Sequence, residues 1–122
     1  MIRLKDLLIE SKTPITIYRV EDNSGLGPFR QEVANKIKSS SKEDYTLYKK
    51  MYNRISKVHK AVIVNVPKGY VFGYESKKQL MKWFTSEVLR LLKKYNFTIQ
   101  SYNNVVNYYF IMDRELIFKK PK

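Results

Sequence analysis

The strongest helical pattern in the chain runs from Ser76 to Tyr95, with the sequence SKKQLMKWFTSEVLRLLKKY. Its large apolar residues recur at intervals of three and four, which places them on one side of a helix. Ser76 and Gln79 have the spacing of a capping box, and Asn96 can adopt the left-handed backbone that ends a helix. We therefore predict one long amphipathic helix over Ser76–Tyr95. Its predicted buried stripe consists of Leu80, Trp83, Phe84, Val88, Leu91, Leu92 and Tyr95.

Short runs of β-branched and aromatic residues on both sides of this helix predict strands. The predicted strands are Ile15–Val20, Ala61–Val66, Tyr70–Tyr74, Phe97–Tyr102, Val105–Met112 and Glu115–Lys119, with a turn at Asn103 and Asn104. Helical spacing also predicts two shorter helices, over Phe29–Lys38 and Tyr45–Ile55. This order predicts the α+β class: a single small domain in which a mixed or antiparallel sheet carries the long helix.

Composition limits the chemistry that the chain can perform. The 122 residues include no Cys and one His, so disulfides, Cys-ligated zinc and sites with several His ligands are excluded within one chain. No apolar run approaches the length of about 18 residues that a membrane-spanning helix needs. We expect a single α+β domain over residues 15–120, without a bound metal and without a membrane partner.

The net charge indicates a polyanionic partner. The chain carries 24 Lys and Arg against 11 Asp and Glu, a formal charge of +13, which exceeds what solubility asks of a small domain. Lys is suited to phosphate contacts rather than to reading bases, so we expect binding to a nucleic-acid backbone. An AT-rich coding sequence is an alternative source of the Lys residues, but it does not explain the shortage of acidic residues.

One predicted helix concentrates these charges. Tyr45, Tyr48 and Tyr52 lie beside its basic residues and could stack on bases. In the alternative interpretation, the tyrosines belong to the core and the basic residues form the solvated face of the helix. The candidate nucleic-acid-binding residues are Lys49, Lys50, Arg54, Lys57 and Lys60.

Residues 1–10 form an amphipathic peptide that a polar linker, residues 11–14, separates from the domain. It resembles the capsid-targeting peptides of internal head proteins from T-even-type phages, which end in a prohead-protease site of Leu or Ile, any residue and Glu. Leu8-Ile9-Glu10 matches that site. The resemblance implies cleavage after Glu10 by the prohead protease, packaging with phage DNA in the virion interior, and delivery to the host cytoplasm. In the alternative interpretation, this peptide is a helix that covers the core.

Three stretches of the body resemble ADP-ribosyltransferase-like domains: Ile17-Tyr18-Arg19, Phe72-Gly73-Tyr74-Glu75-Ser76 and Asp113-Arg114-Glu115-Leu116-Ile117-Phe118. The resemblance implies NAD as cofactor, with Arg19 and Tyr18 as its binding residues. It also implies that Ser76 supports the nicotinamide side and that Glu115 stabilises positive charge on the ribose. The pattern is similar to that of small phage proteins as well, from which no activity follows.

Charged residues on strands also have a structural interpretation. Arg19 could pair with Glu21, and Glu115 could be a charge that keeps a strand edge from aggregating.

Two classes of function remain open. In the first, a virion-packaged phage protein modifies or inhibits a host component through an ADP-ribosyltransferase-like domain, which requires Arg19, Ser76 and Glu115 to share a cleft. In the second, the protein has no enzymatic activity and no cofactor. It would then bind nucleic acid or act against host restriction and defence, with a host protein or nuclease as partner.

Overall fold

The computed structural model describes residues 13–62, 68–112 and 115–121. The predicted α+β class is confirmed, because these residues form four helices and a five-stranded antiparallel sheet. The elements are β1 (Ile15–Glu21), α1 (Gln31–Ser40), α2 (Lys42–Val62), β2 (Tyr70–Tyr74), α3 (Lys77–Trp83), α4 (Ser86–Lys93), β3 (Thr98–Val105), β4 (Tyr108–Met112) and β5 (Glu115–Lys119). The peptide 1–10 and its protease site lie outside the described residues. Among the described helices, none has the length and apolar content needed to cross a bilayer.

The sheet is curled, as its strand order requires. The order is β3-β1-β2-β5-β4, so β3 and β4 lie at opposite edges although only Val106 and Asn107 separate them in sequence. A flat sheet of this width would hold its edges about 19 Å apart, whereas the three steps from Val105 to Tyr108 span at most about 11 Å. The two edges must therefore approach each other at this turn.

One face of the curled sheet encloses an apolar cluster, and the other face packs against the helices. The enclosed cluster contains Ile17, Val105, Tyr108, Leu116 and Phe118. The helix-covered cluster joins Val20 and Tyr74 of the sheet to the apolar sides of all four helices. Its helical members are Val33, Ile37, Tyr48, Met51, Ile55, Leu80, Val88, Leu91 and Leu92.

The predicted long helix is in fact two helices. α3 ends at Trp83, Phe84 has extended backbone (φ −101°, ψ 90°), and α4 begins after Thr85. The Thr85 hydroxyl accepts a hydrogen bond from the Val88 N–H at 3.3 Å, which stabilises a new helix start. Both helices still bury the apolar stripe that the sequence predicted, so the break redirects the chain without exposing the stripe.

Two predicted strand boundaries are also wrong. Ala61 and Val62 are the last residues of α2 rather than the start of a strand, and the rest of the predicted strand Ala61–Val66 lies outside the described residues. β3 continues through the predicted turn to Val105, with a bulge in its pairing with β1 at Asn103 and Asn104, where Asn104 has left-handed backbone (φ 56°). The prediction for Asn96 is confirmed, since it has φ 70° just after α4.

Gly73 of β2 has no space for a side chain. A Cβ atom there would lie 2.5 Å from Ile17 Cγ2 and 2.8 Å from Phe118 Cε1, inside the enclosed cluster. We expect Gly73→Ala to lower the free energy of unfolding by about 1–3 kcal/mol through overpacking, measured by urea denaturation. Ser101→Ala, at an exposed position of β3, is the control and should change stability by less than about 0.5 kcal/mol. Equal stability of the two variants would contradict the tight packing.

Candidate functional site

A cavity of about 490 Å³ lies where β1 and β2 separate, beneath the loop between β1 and α1. Arg19 and Glu115, which the sequence singled out from distant stretches, both line it. The rest of β1, that loop, α2, β2 and the residue after α3 contribute its other walls. The residues are Val20, Leu26, Gly27, Pro28, Phe29, Arg30, Tyr52, Ile55, Phe72, Tyr74 and Phe84.

Strand pairing explains how Arg19 and Glu115 reach one cavity. Tyr18 of β1 pairs with Tyr74 of β2, which in turn pairs with Glu115 of β5. These three paired residues lie on one face of the sheet. Because side chains alternate between faces along a strand, Arg19, one residue after Tyr18, is expected on the opposite face from Glu115. Past this pair β1 and β2 separate, and Arg19 Nη1 donates to the Phe72 carbonyl oxygen at 2.9 Å. The guanidinium thus bridges the two strands at the cavity wall.

Arg19 is held by a buried acid. Glu21, only 4% exposed, accepts hydrogen bonds from Arg19 Nε and Lys120 Nζ, each at 3.0 Å, and from the Tyr102 hydroxyl. Burial raises the pKa of Glu21, but the hydrogen bonds from Tyr102, Lys120 and Arg19 and the Lys120 charge outweigh it and lower the pKa overall. Glu21 is therefore ionised at neutral pH and fixes the direction of Arg19.

The second nitrogen of the Arg19 fork faces Gly27. A Cβ atom at Gly27 would lie 3.1 Å from Arg19 Nη2, so the missing side chain leaves space beside this nitrogen. Nη2 takes part in no hydrogen bond to the described residues. It is a charged donor at the cavity wall, with the geometry that suits a phosphate oxygen.

Glu115 is buried beside Tyr74. It is 1% exposed, and a side-chain hydrogen bond joins it to Tyr74. Burial, followed by the charge of Glu115 and this hydrogen bond, raises the pKa of Tyr74 far above its usual value. The Tyr74 hydroxyl therefore stays protonated at neutral pH and can hold the Glu115 carboxyl group in one orientation.

Aromatic rings form the apolar wall of the cavity. Phe29 is their centre: its ring stacks on Phe84 at 5.7 Å and meets the ring edge of Tyr52 at 5.5 Å. Tyr74 meets Phe84 at 6.4 Å in a T-shaped contact. A planar ligand ring could pack against this wall, with the charged groups of Arg19 and Glu115 at its edge.

Ser76 and Tyr18 are not among the residues that line the cavity. The Ser76 hydroxyl caps α3 by accepting a hydrogen bond from the Gln79 N–H at 3.2 Å, as the capping-box pattern predicted. Tyr18 packs against the helix-covered cluster, with the Lys77 ammonium 6.0 Å from its ring. The structure therefore brings Arg19 together with Glu115, but it does not add Ser76 or Tyr18 to their cavity.

Sequence reasoning missed the roles of Tyr74, Phe29 and Arg30 in this cavity. Tyr74 lies within the quoted stretch before α3, and only its pairing with Glu115 reveals a role. Arg30 donates from Nε to the Gly27 carbonyl at 2.9 Å and from Nη2 to Asp22 at 3.0 Å, so it stabilises the loop over the cavity. No local pattern distinguishes these residues from ordinary core and loop residues.

The basic candidates on α2 are exposed where their side chains are described. Lys50, Arg54 and Lys57 follow one another at intervals of four and three, so they share one side of the helix. Lys49 lies on another side, with its ammonium 5.4 Å from the Tyr52 ring. The side chain of Lys60 lies outside the described part of the structure.

Tyr48 is a core residue, 1% exposed, whose hydroxyl donates to the Pro28 carbonyl at 2.7 Å.

The comparisons with known proteins give one family. Residues 12–122 match the family described as Bacteriophage T4 Y00F protein. No curated protein and no solved structure matches the chain. The matched segment contains every residue that lines the cavity and the whole of α2. Within the described ranges, no cluster of acidic or His side chains has the arrangement that holds a metal ion.

Proposed function

Because the chain belongs to the bacteriophage T4 Y00F protein family, we propose that it is a phage protein that binds NAD in the Arg19–Glu115 cavity and transfers ADP-ribose to a host component. The observation that carries the proposal is the cavity shared by an arginine fork and a buried carboxylate. β1 supplies the arginine and β5 the carboxylate, and β2 lies between these two strands. A volume of about 490 Å³ is typical of small-molecule sites.

The residues present fit the chemistry of this dinucleotide. Arg19 Nη2 would bind its diphosphate, and the rings of Phe29 and Phe84 would pack against the nicotinamide. When bound, NAD supplies a ribose whose bond to nicotinamide can be exchanged for a bond to an acceptor. Glu115 would stabilise the positive charge that develops on the ribose, because a fixed carboxylate that is only 1% exposed acts strongly on nearby charge. Tyr74 would keep this carboxylate in position.

Gly27→Ala tests the Arg19 contribution without altering the arginine. The new methyl group would lie 3.1 Å from Arg19 Nη2 and would shield it from a ligand. We expect NAD affinity to fall about 10- to 100-fold, the usual effect of losing a charged hydrogen bond, as measured by isothermal titration calorimetry. Asn23→Ala, in the same loop but outside the cavity lining, should bind like wild type. Undetectable binding to wild type, or equal binding by Gly27→Ala, would contradict the proposal.

Packaging in the virion is the second part of the proposal. It is supported by the Leu8-Ile9-Glu10 site and by charge: residues 1–10 contain two basic and two acidic residues, so cleavage would leave the charge of +13 unchanged. We expect the mature protein from purified virions to begin at Ser11, as measured by N-terminal sequencing. Protein made without the prohead protease should retain Met1. Absence from virions, or an intact Met1 in virion material, would rule out processing at this site.

The exposed basic residues of α2 favour a second candidate function, nucleic-acid binding without catalysis. The two candidates differ in what the cavity does. Catalysis requires NAD to bind beside Arg19, whereas a non-enzymatic protein would hold nucleic acid in a strongly salt-dependent manner and leave NAD intact.

A further inference from the structure

We infer that Lys120 is a positioning residue of the proposed NAD site: it holds the loop between β1 and α1 against the sheet and so keeps Gly27 at its distance from Arg19. The inference rests on the proposed function, since it concerns how the same cavity keeps its shape. Lys120 follows β5 directly and is not among the residues that line the cavity. It therefore acts on a bound ligand through the groups that it holds.

The Lys120 ammonium joins the loop to the sheet. Its Nζ donates to the Gly25 carbonyl oxygen at 2.7 Å and lies 3.0 Å from Glu21 Oε2. Gly25 lies in the first turn of the loop, whereas Glu21 is the last residue of β1 and is only 4% exposed. An ammonium has three N–H donors and no acceptor, so one side chain can hold both groups at once.

The loop backbone has the shape that this contact needs. Gly25 has left-handed backbone (φ 79°), and a Cβ atom there would lie 3.1 Å from Lys120 Nζ. A residue with a side chain would meet both backbone strain and the ammonium at this position. The glycine therefore allows Lys120 to approach the loop closely.

The turn that Lys120 holds is braced by its own hydrogen bonds. The Asp22 N–H donates to the Leu26 carbonyl at 2.9 Å, and the Gly25 N–H donates to the Asp22 carbonyl at 3.0 Å. The Asp22 carboxylate also accepts from the Leu26 N–H at 3.0 Å. Gly27 follows this braced turn directly, so a contact that fixes Gly25 also fixes where Gly27 lies.

Lys120 and Arg19 share one carboxylate oxygen, Glu21 Oε2, each at 3.0 Å. The loop that carries Gly27 and the guanidinium of Arg19 are therefore both tied to the same buried acid. In the proposed site the diphosphate lies between them, where a Cβ atom at Gly27 would be 3.1 Å from Arg19 Nη2. A gap that already has the right width spares a ligand the cost of ordering the protein.

Without the ammonium the loop should open more often, whereas the chemistry should be unchanged. Lys120→Met keeps an unbranched side chain but removes the donors and the charge. Arg19 still pairs with Glu21 in this variant, so the buried acid keeps a cationic partner and we expect the fold to persist. Ordering of the loop affects bound NAD and the transition state equally, so the KM for NAD should rise while kcat stays the same.

The test uses the full chain and two readouts. Amide hydrogen exchange without NAD, followed by mass spectrometry, reports how often the loop opens. Nicotinamide release at several NAD concentrations gives KM and kcat. Lys119→Met removes the same charge from the exposed neighbouring residue and is the matched control.

We expect Lys120→Met to exchange the amides of residues 22–27 about tenfold faster and to raise the KM for NAD about tenfold, the usual effect of losing one charged hydrogen bond. Its kcat should stay within about twofold of wild type, and Lys119→Met should match wild type in both readouts.

Equal loop exchange in the two variants, or faster exchange spread evenly over the sheet, would overturn the inference. A fall in kcat at an unchanged KM would overturn it as well. Each of these outcomes leaves the proposed function standing when wild type binds NAD. Failure of wild type to bind NAD would overturn the proposed function and this inference with it, whatever the loop exchange shows.

Discussion

Glu115→Gln should reduce NAD turnover by about 100- to 1,000-fold, the usual effect of removing one electrostatic group from a catalytic site. The amide keeps the shape of the side chain and can still accept the hydrogen bond that joins position 115 to Tyr74. It cannot, however, stabilise positive charge on the ribose. The measurement is nicotinamide release, followed by chromatography, together with NAD affinity, which should change far less than turnover.

A matched control separates the loss of the catalytic group from the mere loss of one negative charge. Glu87→Gln removes the same charge from an exposed position in the first turn of α4 and should turn over NAD like wild type. Tyr74→Phe leaves Glu115 in place but removes its hydroxyl partner, so we expect an intermediate loss. If Glu115→Gln releases nicotinamide at the wild-type rate, Glu115 has no catalytic role and its buried carboxylate is structural.

The sequence predicted those parts of the fold that depend on local patterns. Alternation placed β1, β2 and β5 within a residue of their observed bounds, and helical spacing identified the buried stripe on both sides of Thr85. The break at Thr85 was missed because a stripe with uninterrupted spacing masks a second capping residue. The curl of the sheet was missed for another reason. It follows from which strands pair, and pairing between residues far apart in sequence has no local signal.

The candidate site, like the fold, could be predicted only where a local sequence pattern exists. Arg19 and Glu115 could be selected from a resemblance, and the structure brings both to one cavity. Their meeting depends on the separation of β1 and β2 after Tyr18, which strand alternation does not predict. Ser76 illustrates the opposite case: its capping pattern with Gln79 was correct, and that structural role directs its hydroxyl to the start of α3.

Glu21→Gln should lower the free energy of unfolding at pH 7 by about 3 kcal/mol, because it leaves the Arg19 and Lys120 charges without their buried partner. The pKa of Glu21 is lowered in the folded protein from its ordinary value of 4.5. The stabilisation is therefore present above about pH 4.5 and is lost as the pH falls through the lower, folded-state pKa. The stability difference between wild type and Glu21→Gln should consequently shrink in acid. Urea denaturation at several pH values measures it.

Tyr102→Phe gives an independent test of the same network. Burial, and then the hydrogen bond to Glu21, raise the pKa of Tyr102 to about 12, so its hydroxyl is a donor across the neutral range. Its loss should cost about 1–2 kcal/mol and leave the ion pairs of Glu21 intact. For the Glu21→Gln experiment itself, the contradicting outcome is a stability difference from wild type that stays constant from pH 7 into acid. It would mean that ionised Glu21 does not stabilise the fold. Arg19 would then owe its orientation to the Phe72 carbonyl alone, and NAD affinity in Glu21→Gln should match wild type.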